Sequence, residues 1–97
     1  MEDKVMRVYT ICVNGMGSSL ILRMTVERAL AQLGLDADVE AIDMGSYNGR
    51  RKPDLIVTTP ALAKNIEPKE GMAIATITNF TDVNAAKENI RAALNLE

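Results

Sequence analysis

Two nearly continuous runs of apolar and β-branched residues constrain the fold of this chain most. V-M-R-V-Y-T-I (5–11) and D-L-I-V-T-T (54–59) lack the polar/apolar alternation of a half-exposed strand, which is typical of strands buried on both faces of a parallel sheet. D-A-D-V-E-A-I-D does alternate, and it predicts a strand over 37–42 at a sheet edge. M-A-I-A-T-I (72–77) follows a glycine and predicts a fourth strand.

Helical patterns lie between these strands. Apolar residues recur at helical spacing from about Ser18 to Leu33, and Gly34 follows as a C-terminal cap. Pro60 suits the first turn of a short helix that reaches Ile66. A last helix opens at 81–82, where an aspartate is well placed for the helix dipole, and carries one apolar stripe.

The element order predicts the topology. The elements follow in the order strand, helix, strand, loop, strand, helix, strand, helix. Right-handed crossovers between successive strands then give a parallel sheet. The buried runs belong in the centre, so the predicted fold is α/β, with four parallel strands in the order 2-1-3-4 and helices on both faces, a flavodoxin-like or phosphatase-like three-layer sandwich. With 97 residues, one domain over 1–97 is expected. Loops 12–18 and 58–61 would face each other at the switch point, where such folds bind ligands.

The turn after the first strand, I-C-V-N-G-M-G-S-S-L (11–20), has the composition of an anion cradle. Unpaired backbone N–H groups gather at a helix N-terminus and attract an anion. Gly15 and Gly17 would allow positive φ and close backbone approach, and two serines add hydroxyl donors and a helix cap. Phosphate is the anion that we expect this turn to bind. The predicted phosphate-binding residues are Val13, Asn14, Gly15, Met16, Gly17, Ser18 and Ser19.

Cys12, the only cysteine of the chain, precedes this cradle. Helix N-terminal dipoles lower the pKa of a nearby thiol, so Cys12 is a candidate nucleophile; the alternative is a small buried apolar residue. A single cysteine cannot form an internal disulfide.

Composition excludes several function classes. Eleven basic and thirteen acidic residues give a net charge of −2, which disfavours nucleic-acid binding, and the basic cluster 50–52 is expected to be a solvated loop. One cysteine and no histidine leave no zinc or copper site of the usual kind, and we expect no metal or cofactor. Without a visible signal peptide or an apolar run of spanning length, a cytoplasmic protein is expected.

Three phosphate motifs fail at named positions. The P-loop lacks a lysine before Ser18, and the dinucleotide fingerprint meets Leu20 at its third glycine. The phosphotyrosine phosphatase loop needs an arginine where Ser18 stands, and Arg23 lies too far into the helix and should point away. A cysteine that accepts a phosphoryl group but cannot hydrolyse the product would pass it on, and without histidine Cys12 is the remaining acceptor.

The sequence resembles the enzyme IIB components of the bacterial sugar phosphotransferase system, in the group of lactose, galactitol, mannitol and ascorbate transporters, and most closely the ascorbate type. The resemblance covers nearly the whole chain. It is carried by C-V-N-G-M-G-S-S, L-R-M-T-V-E-R-A-L, D-L-I-V-T-T and I-T-N-F-T-D.

This resemblance implies that a phosphohistidine on a cytoplasmic IIA partner phosphorylates Cys12, which then donates to a sugar held by a membrane IIC permease. It also implies that 13–19 is the phosphate-binding loop. The complexes would be transient and the chain monomeric. Val13 stands where the ascorbate type more often has glycine, so galactitol-like or other substrates stay open.

The predicted switch point nominates Thr59 and Asn79 as supporting residues, with capping or turn roles as the alternative. Helix 1, Met16 and the loop after strand 3 would form one docking face for both partners, unless Met16 folds back into the core. Two rival functions remain: a low-molecular-weight phosphatase and a non-catalytic anion-binding module.

Overall fold

A central parallel sheet organises the chain. The computed structural model describes residues 5–11, 16–42, 44–47, 52–66 and 70–95. The strands are β1 (Met6–Ile11), β2 (Ala37–Ile42), β3 (Leu55–Thr58) and β4 (Ala73–Thr76). Their order is β2-β1-β3-β4 and every pairing is parallel, in the register Met6↔Ala37, Val8↔Leu55 and Leu55↔Ala73. The predicted order 2-1-3-4 is therefore confirmed.

The burial of each strand agrees with its place in the sheet. All four residues of β3 are buried, as expected for a central strand without alternation. In β2, Asp38 is exposed while Val39 and Ile42 are buried, so this strand has one wet face and lies at the edge.

Helices cover both faces of the sheet. They are α1 (Met16–Gln32), α2 (Met44–Tyr47), α3 (Pro60–Ala63) and α4 (Val83–Leu94). On one face α1 and α4 contact each other and cover a core that includes Val8, Leu22, Val26, Leu55 and Ile90. On the other face a second core gathers Tyr9, Ile11, Ile42, Tyr47, Ile56 and Ile66. The predicted three-layer arrangement is confirmed.

Helix ends carry the signals that the sequence indicated. Gly34 has φ +78°, and the N–H groups of Gly34 and Leu35 donate to the carbonyls of Ala31 and Leu30 at 3.0 Å, which is the Schellman pattern. Asp82 caps α4, and its Oδ1 accepts from the Ala85 N–H at 3.0 Å.

Two helix boundaries differ from the predictions by two or more residues, and one helix is additional. Helix α1 begins at Met16, two residues before the predicted start. Helix α3 ends at Ala63, and the chain continues to Ile66 through i→i−3 bonds of a tighter turn. The short helix α2 was not predicted; its Tyr47 packs edge-on against Tyr9, with ring centroids 6.5 Å apart. Within the described residues, no helix is both long and apolar enough to cross a membrane.

Candidate functional site

The switch point of the sheet lies between β1 and β3. From β1 the chain passes through α1 to β2 on one side, and from β3 through α3 to β4 on the other. The carboxyl ends of these strands meet at one edge, where ligands bind in open parallel sheets. The chain leaves this edge after Ile11 and returns at Met16, so the four residues of the predicted nucleophile and turn connect β1 to α1.

Part of the predicted loop lies outside the described residues. This holds for Cys12, Val13, Asn14 and Gly15, and for the side chains of Met16, Ser18 and Ser19, so whether Met16 is exposed stays a prediction. The backbone of 16–19 is the first turn of α1, whose N–H groups have no partner inside a helix.

This placement corrects one prediction. Gly17 belongs to α1 and has helical backbone, so the prediction that it adopts positive φ is wrong. The donors of residues 16–19 therefore belong to a helix N-terminus with its dipole, rather than to an irregular loop.

Thr58 joins the ends of β1 and β3 at this edge of the sheet, and the sequence alone did not single it out. It is fully buried, pairs with Ile11 in the sheet register, and its Oγ1 donates to the Ile11 carbonyl at 2.7 Å. This bond joins the last residue of β1, directly before Cys12, to the end of β3. The only sequence signal was a pair of threonines closing an apolar run.

Thr59, nominated from the topology, is the N-cap of α3. Its φ and ψ are −85° and 158°, and its Oγ1 accepts from the Leu62 N–H at 3.3 Å. The side chain is half-buried and follows β3 at the edge where β1 ends. The capping alternative is thus present in the structure, and a supporting role at the site stays a prediction.

Asn79, the second nominee, organises the turn after β4. Its Oδ1 accepts from the Thr81 N–H at 3.1 Å and from Thr81 Oγ1 at 2.8 Å, as an Asx turn does. This loop is tied to α1, because Thr25 Oγ1 donates to the Phe80 carbonyl. Asn79 is exposed and lies beyond the carboxyl end of β4, so the sheet places it at the same edge as Thr59.

Arg23 does not serve the site in this structure. Its Nε donates to Glu27 Oε2 at 3.2 Å, one turn further along α1, and both side chains are 44% exposed. A phosphatase needs a guanidinium on the phosphoryl oxygens, and this arginine is engaged elsewhere. Among the described side chains, no group of three or more His, Cys, Asp or Glu could hold a metal ion.

Comparisons with known proteins agree with this fold. A family model described as "PTS system, Lactose/Cellobiose specific IIB subunit" matches residues 7–92. An ascorbate-specific PTS system EIIB component of Mycoplasma pneumoniae is 32% identical over 97% of this chain and 100% of its own length. A protein of the same description from Shigella sonnei is 34% identical, over 62% of this chain and 60% of its own.

A solved structure gives the same architecture. The lactose-specific IIB component domain of the phosphoenolpyruvate:carbohydrate phosphotransferase system from Streptococcus pneumoniae superposes with a TM-score of 0.57. It covers 95% of this chain and 97% of its own, at 16% sequence identity. At that identity the likeness shows the fold alone.

Proposed function

This chain belongs to the IIB-subunit family of the sugar phosphotransferase system, and from that premise we propose that it carries a phosphoryl group on Cys12. In this proposal a IIA protein phosphorylates Cys12, and the group then passes to a sugar bound by the membrane IIC permease. The chain acts as one domain over residues 1–97, in the cytoplasm, and meets each partner in a transient complex.

The observation that carries the proposal is the position of the 12–15 connection. It joins the carboxyl end of β1 to the first turn of α1 at the switch point between β1 and β3. A phosphoryl group at this point would meet the N–H groups at the start of a 17-residue helix, which favour negative charge. Cys12 is the only thiol of the chain, and histidine is absent.

The step is an in-line phosphoryl transfer. The Cys12 thiolate attacks phosphorus, the S–P bond forms, and the N–P bond of the donor's phosphohistidine breaks; the imidazole leaves with its electron pair and takes up a proton. Backbone N–H groups of 13–19 hold the equatorial oxygens as charge spreads. In the second step a sugar hydroxyl attacks phosphorus, gives up its proton, and the thiolate leaves.

Thr59 and Asn79 have supporting roles in this scheme. Thr59 fixes the start of α3 beside the carboxyl end of β1, and Asn79 fixes the turn that is tied to α1. Each shapes the rim around the phosphoryl group through the backbone that it holds. No metal or other cofactor takes part.

An ascorbate-like sugar is the substrate that we propose. The Mycoplasma relative, which the chain matches along its whole length, is described as ascorbate-specific. The family model and the solved relative are described by lactose or cellobiose, and at 16% identity the latter bears on fold alone. The sugar itself is bound by the permease, so IIC completes the specificity.

Intact-mass spectrometry tests the proposal. The chain is incubated with phosphorylated IIA, and we expect one added phosphoryl group on the wild type and none on Cys12→Ala. Inorganic phosphate is measured in parallel. Steady phosphate release from an aryl phosphate, lost in Cys12→Ala, would support a phosphatase instead. Anion binding retained in Cys12→Ala without any covalent adduct on the wild type would support a binding module.

A further inference from the structure

Helix α1 carries apolar residues on two faces. Leu22, Val26 and Leu30 are buried against the sheet. Leu20, Ile21 and Met24 are 52%, 44% and 48% exposed. Within the described part of the chain, only one other large apolar side chain, that of Val5, is exposed. An amphipathic surface helix needs only the first set, so the second set has no role in the fold that the structure describes.

Two members of the exposed set, Ile21 and Met24, line a groove between α1 and the start of α4. One wall is formed by Ile21, Met24, Thr25 and Arg28, at the i, i+3, i+4, i+7 spacing of a single helix stripe. Thr81 and Val83 form the other wall, and the volume is about 210 Å³. These six residues are called the α1 groove below. The Thr25 bond to the Phe80 carbonyl holds the two walls together, so the groove is preformed.

The α1 groove has one charge. Arg28 is its only ionisable lining residue, and this exposed arginine has no ion pair within the described part of the chain. Arg23, on the same helix, is paired with Glu27. The groove therefore suits an apolar side chain accompanied by a carboxylate, since both would find partners that the chain itself leaves free.

The α1 groove lies close to the proposed phosphoryl site. With a rise of 1.5 Å per residue, Ile21 stands roughly 8 Å and Arg28 roughly 18 Å along α1 from its first residue, Met16. A protein that reaches the 12–15 connection can therefore extend over the groove in the same encounter.

Resting on the proposed function, we propose that the α1 groove is the docking site of the phosphorylated IIA donor. The donor inserts an apolar side chain between Ile21, Met24 and Val83, and sets a carboxylate against Arg28. This proposal departs from the expectation of one face for both partners, because the groove serves the donor and not the permease.

Charge separates the donor from other occupants. Cytoplasmic loops of membrane proteins are rich in Lys and Arg, which the free Arg28 would repel. A second copy joined by a two-fold axis would set the same patch against itself, and none of the six lining residues is a carboxylate that could meet Arg28. A soluble donor with an acidic, apolar ridge fits both the charge and the exposed side chains.

The test compares transfer rates from phosphorylated IIA to four variants. Ile21→Ser with Met24→Ser removes the apolar wall, and Arg28→Glu reverses the charge. Val5→Ser is the matched apolar control, since Val5 is 54% exposed and directly precedes β1, at the amino end of the strands. Arg23→Glu is the matched charge control on the same helix. Urea denaturation confirms that each variant folds.

Both groove variants are expected to lower kcat/KM for the donor about thirtyfold, the smallest loss that defines an interface hot spot. The loss should lie in KM, because docking binds ground and transition states alike, and both controls should stay within about twofold. Transfer onward from the phosphorylated variants to sugar, in vesicles that contain IIC, should be unchanged. Sedimentation should give the same mass for wild type and variants.

Three results would overturn the inference. Groove variants that accept phosphoryl at the wild-type rate would remove the docking role while leaving the carrier function intact. A defect confined to transfer into IIC vesicles would assign the groove to the permease. A wild-type dimer that dissociates in the Ile21→Ser, Met24→Ser variant would assign it to a second copy. A wild type that accepts no phosphoryl group would instead contradict the proposed function itself.

Discussion

Two buried threonines of the sheet should respond in opposite directions when valine replaces them. Thr10 is 1% exposed, and its Oγ1 has no hydrogen-bond partner in the described part of the chain. Thr58 is fully buried, and its Oγ1 donates to the Ile11 carbonyl at 2.7 Å. Valine keeps the branched shape of threonine and removes only the hydroxyl, so the pair isolates the value of one hydrogen bond.

The magnitudes follow from the burial of each hydroxyl. A buried hydroxyl without a partner costs about 1–3 kcal/mol in protein mutational data, so Thr10→Val should raise the free energy of unfolding by about 1–2 kcal/mol. A satisfied hydrogen bond contributes about 0.5–1.5 kcal/mol net, so Thr58→Val should lower it by about 1 kcal/mol. For a domain of this size each kcal/mol moves Tm by about 4–8 °C.

Urea denaturation followed by circular dichroism measures both changes. The denaturation midpoint should rise for Thr10→Val and fall for Thr58→Val, with the m value unchanged in each case. Thr58→Ser is the matched control, because it keeps the hydroxyl and loses only a methyl group. A decrease in stability of 1 kcal/mol or more for Thr10→Val would refute the reasoning, as would an increase for Thr58→Val.

Three further substitutions test other parts of the structure. Gly34→Ala should cost about 1–2 kcal/mol by thermal unfolding because φ is +78°, although a Cβ meets nothing within 4 Å there; an unchanged Tm would contradict the left-handed cap. Asp82→Ala should cost about 1 kcal/mol of urea stability, while Asp82→Asn, which still caps, should cost much less; equal losses would count against the cap. Thr59→Ala should slow phosphoryl transfer to Cys12 and Thr59→Ser should restore it, as measured by quenched-flow with intact mass; equal rates would leave Thr59 as a cap alone.

Much of the fold was predictable because the apolar pattern of each segment agrees with the burial of that segment in the structure. The 5–11 and 54–59 runs are mostly apolar and β-branched and lack alternation, and β1 and β3 are the two central strands. The alternation of 37–42 matches an edge strand. Gly34 and Asp82 mark helix ends through chemistry that acts within one turn.

Other features depend on contacts that no local pattern encodes. The early start of α1 runs through Met16 and Gly17, and glycine has a poor helix propensity. Helix α2 is a single turn, too short for periodicity, and its Tyr47 packs against Tyr9. The Thr58 bond joins residues 47 apart in sequence. The second apolar face of α1 was not predicted, because apolar residues at helical spacing were all assigned to the core.

The candidate site divides in the same way. Its place was predictable from topology, because the carboxyl ends of two central parallel strands define a switch point. The alternative roles that the sequence left for Thr59 and Asn79, a cap and a turn, are both present in the structure. That Thr59 and Asn79 also support phosphoryl transfer to Cys12 stays a prediction, because such a role depends on the partners and on the chemistry at Cys12.

Localising the phosphoryl group tests the central claim most directly. After reaction with phosphorylated IIA, trypsin cleavage after Arg7 and Arg23 would release residues 8–23, which hold Cys12 together with two serines and two other hydroxyl side chains. Fragmentation of that peptide should place the phosphoryl group on Cys12, and the modified peptide should be absent from Cys12→Ala. A phosphoryl group on Ser18 or Ser19, or on any other peptide, would contradict the phosphocysteine carrier.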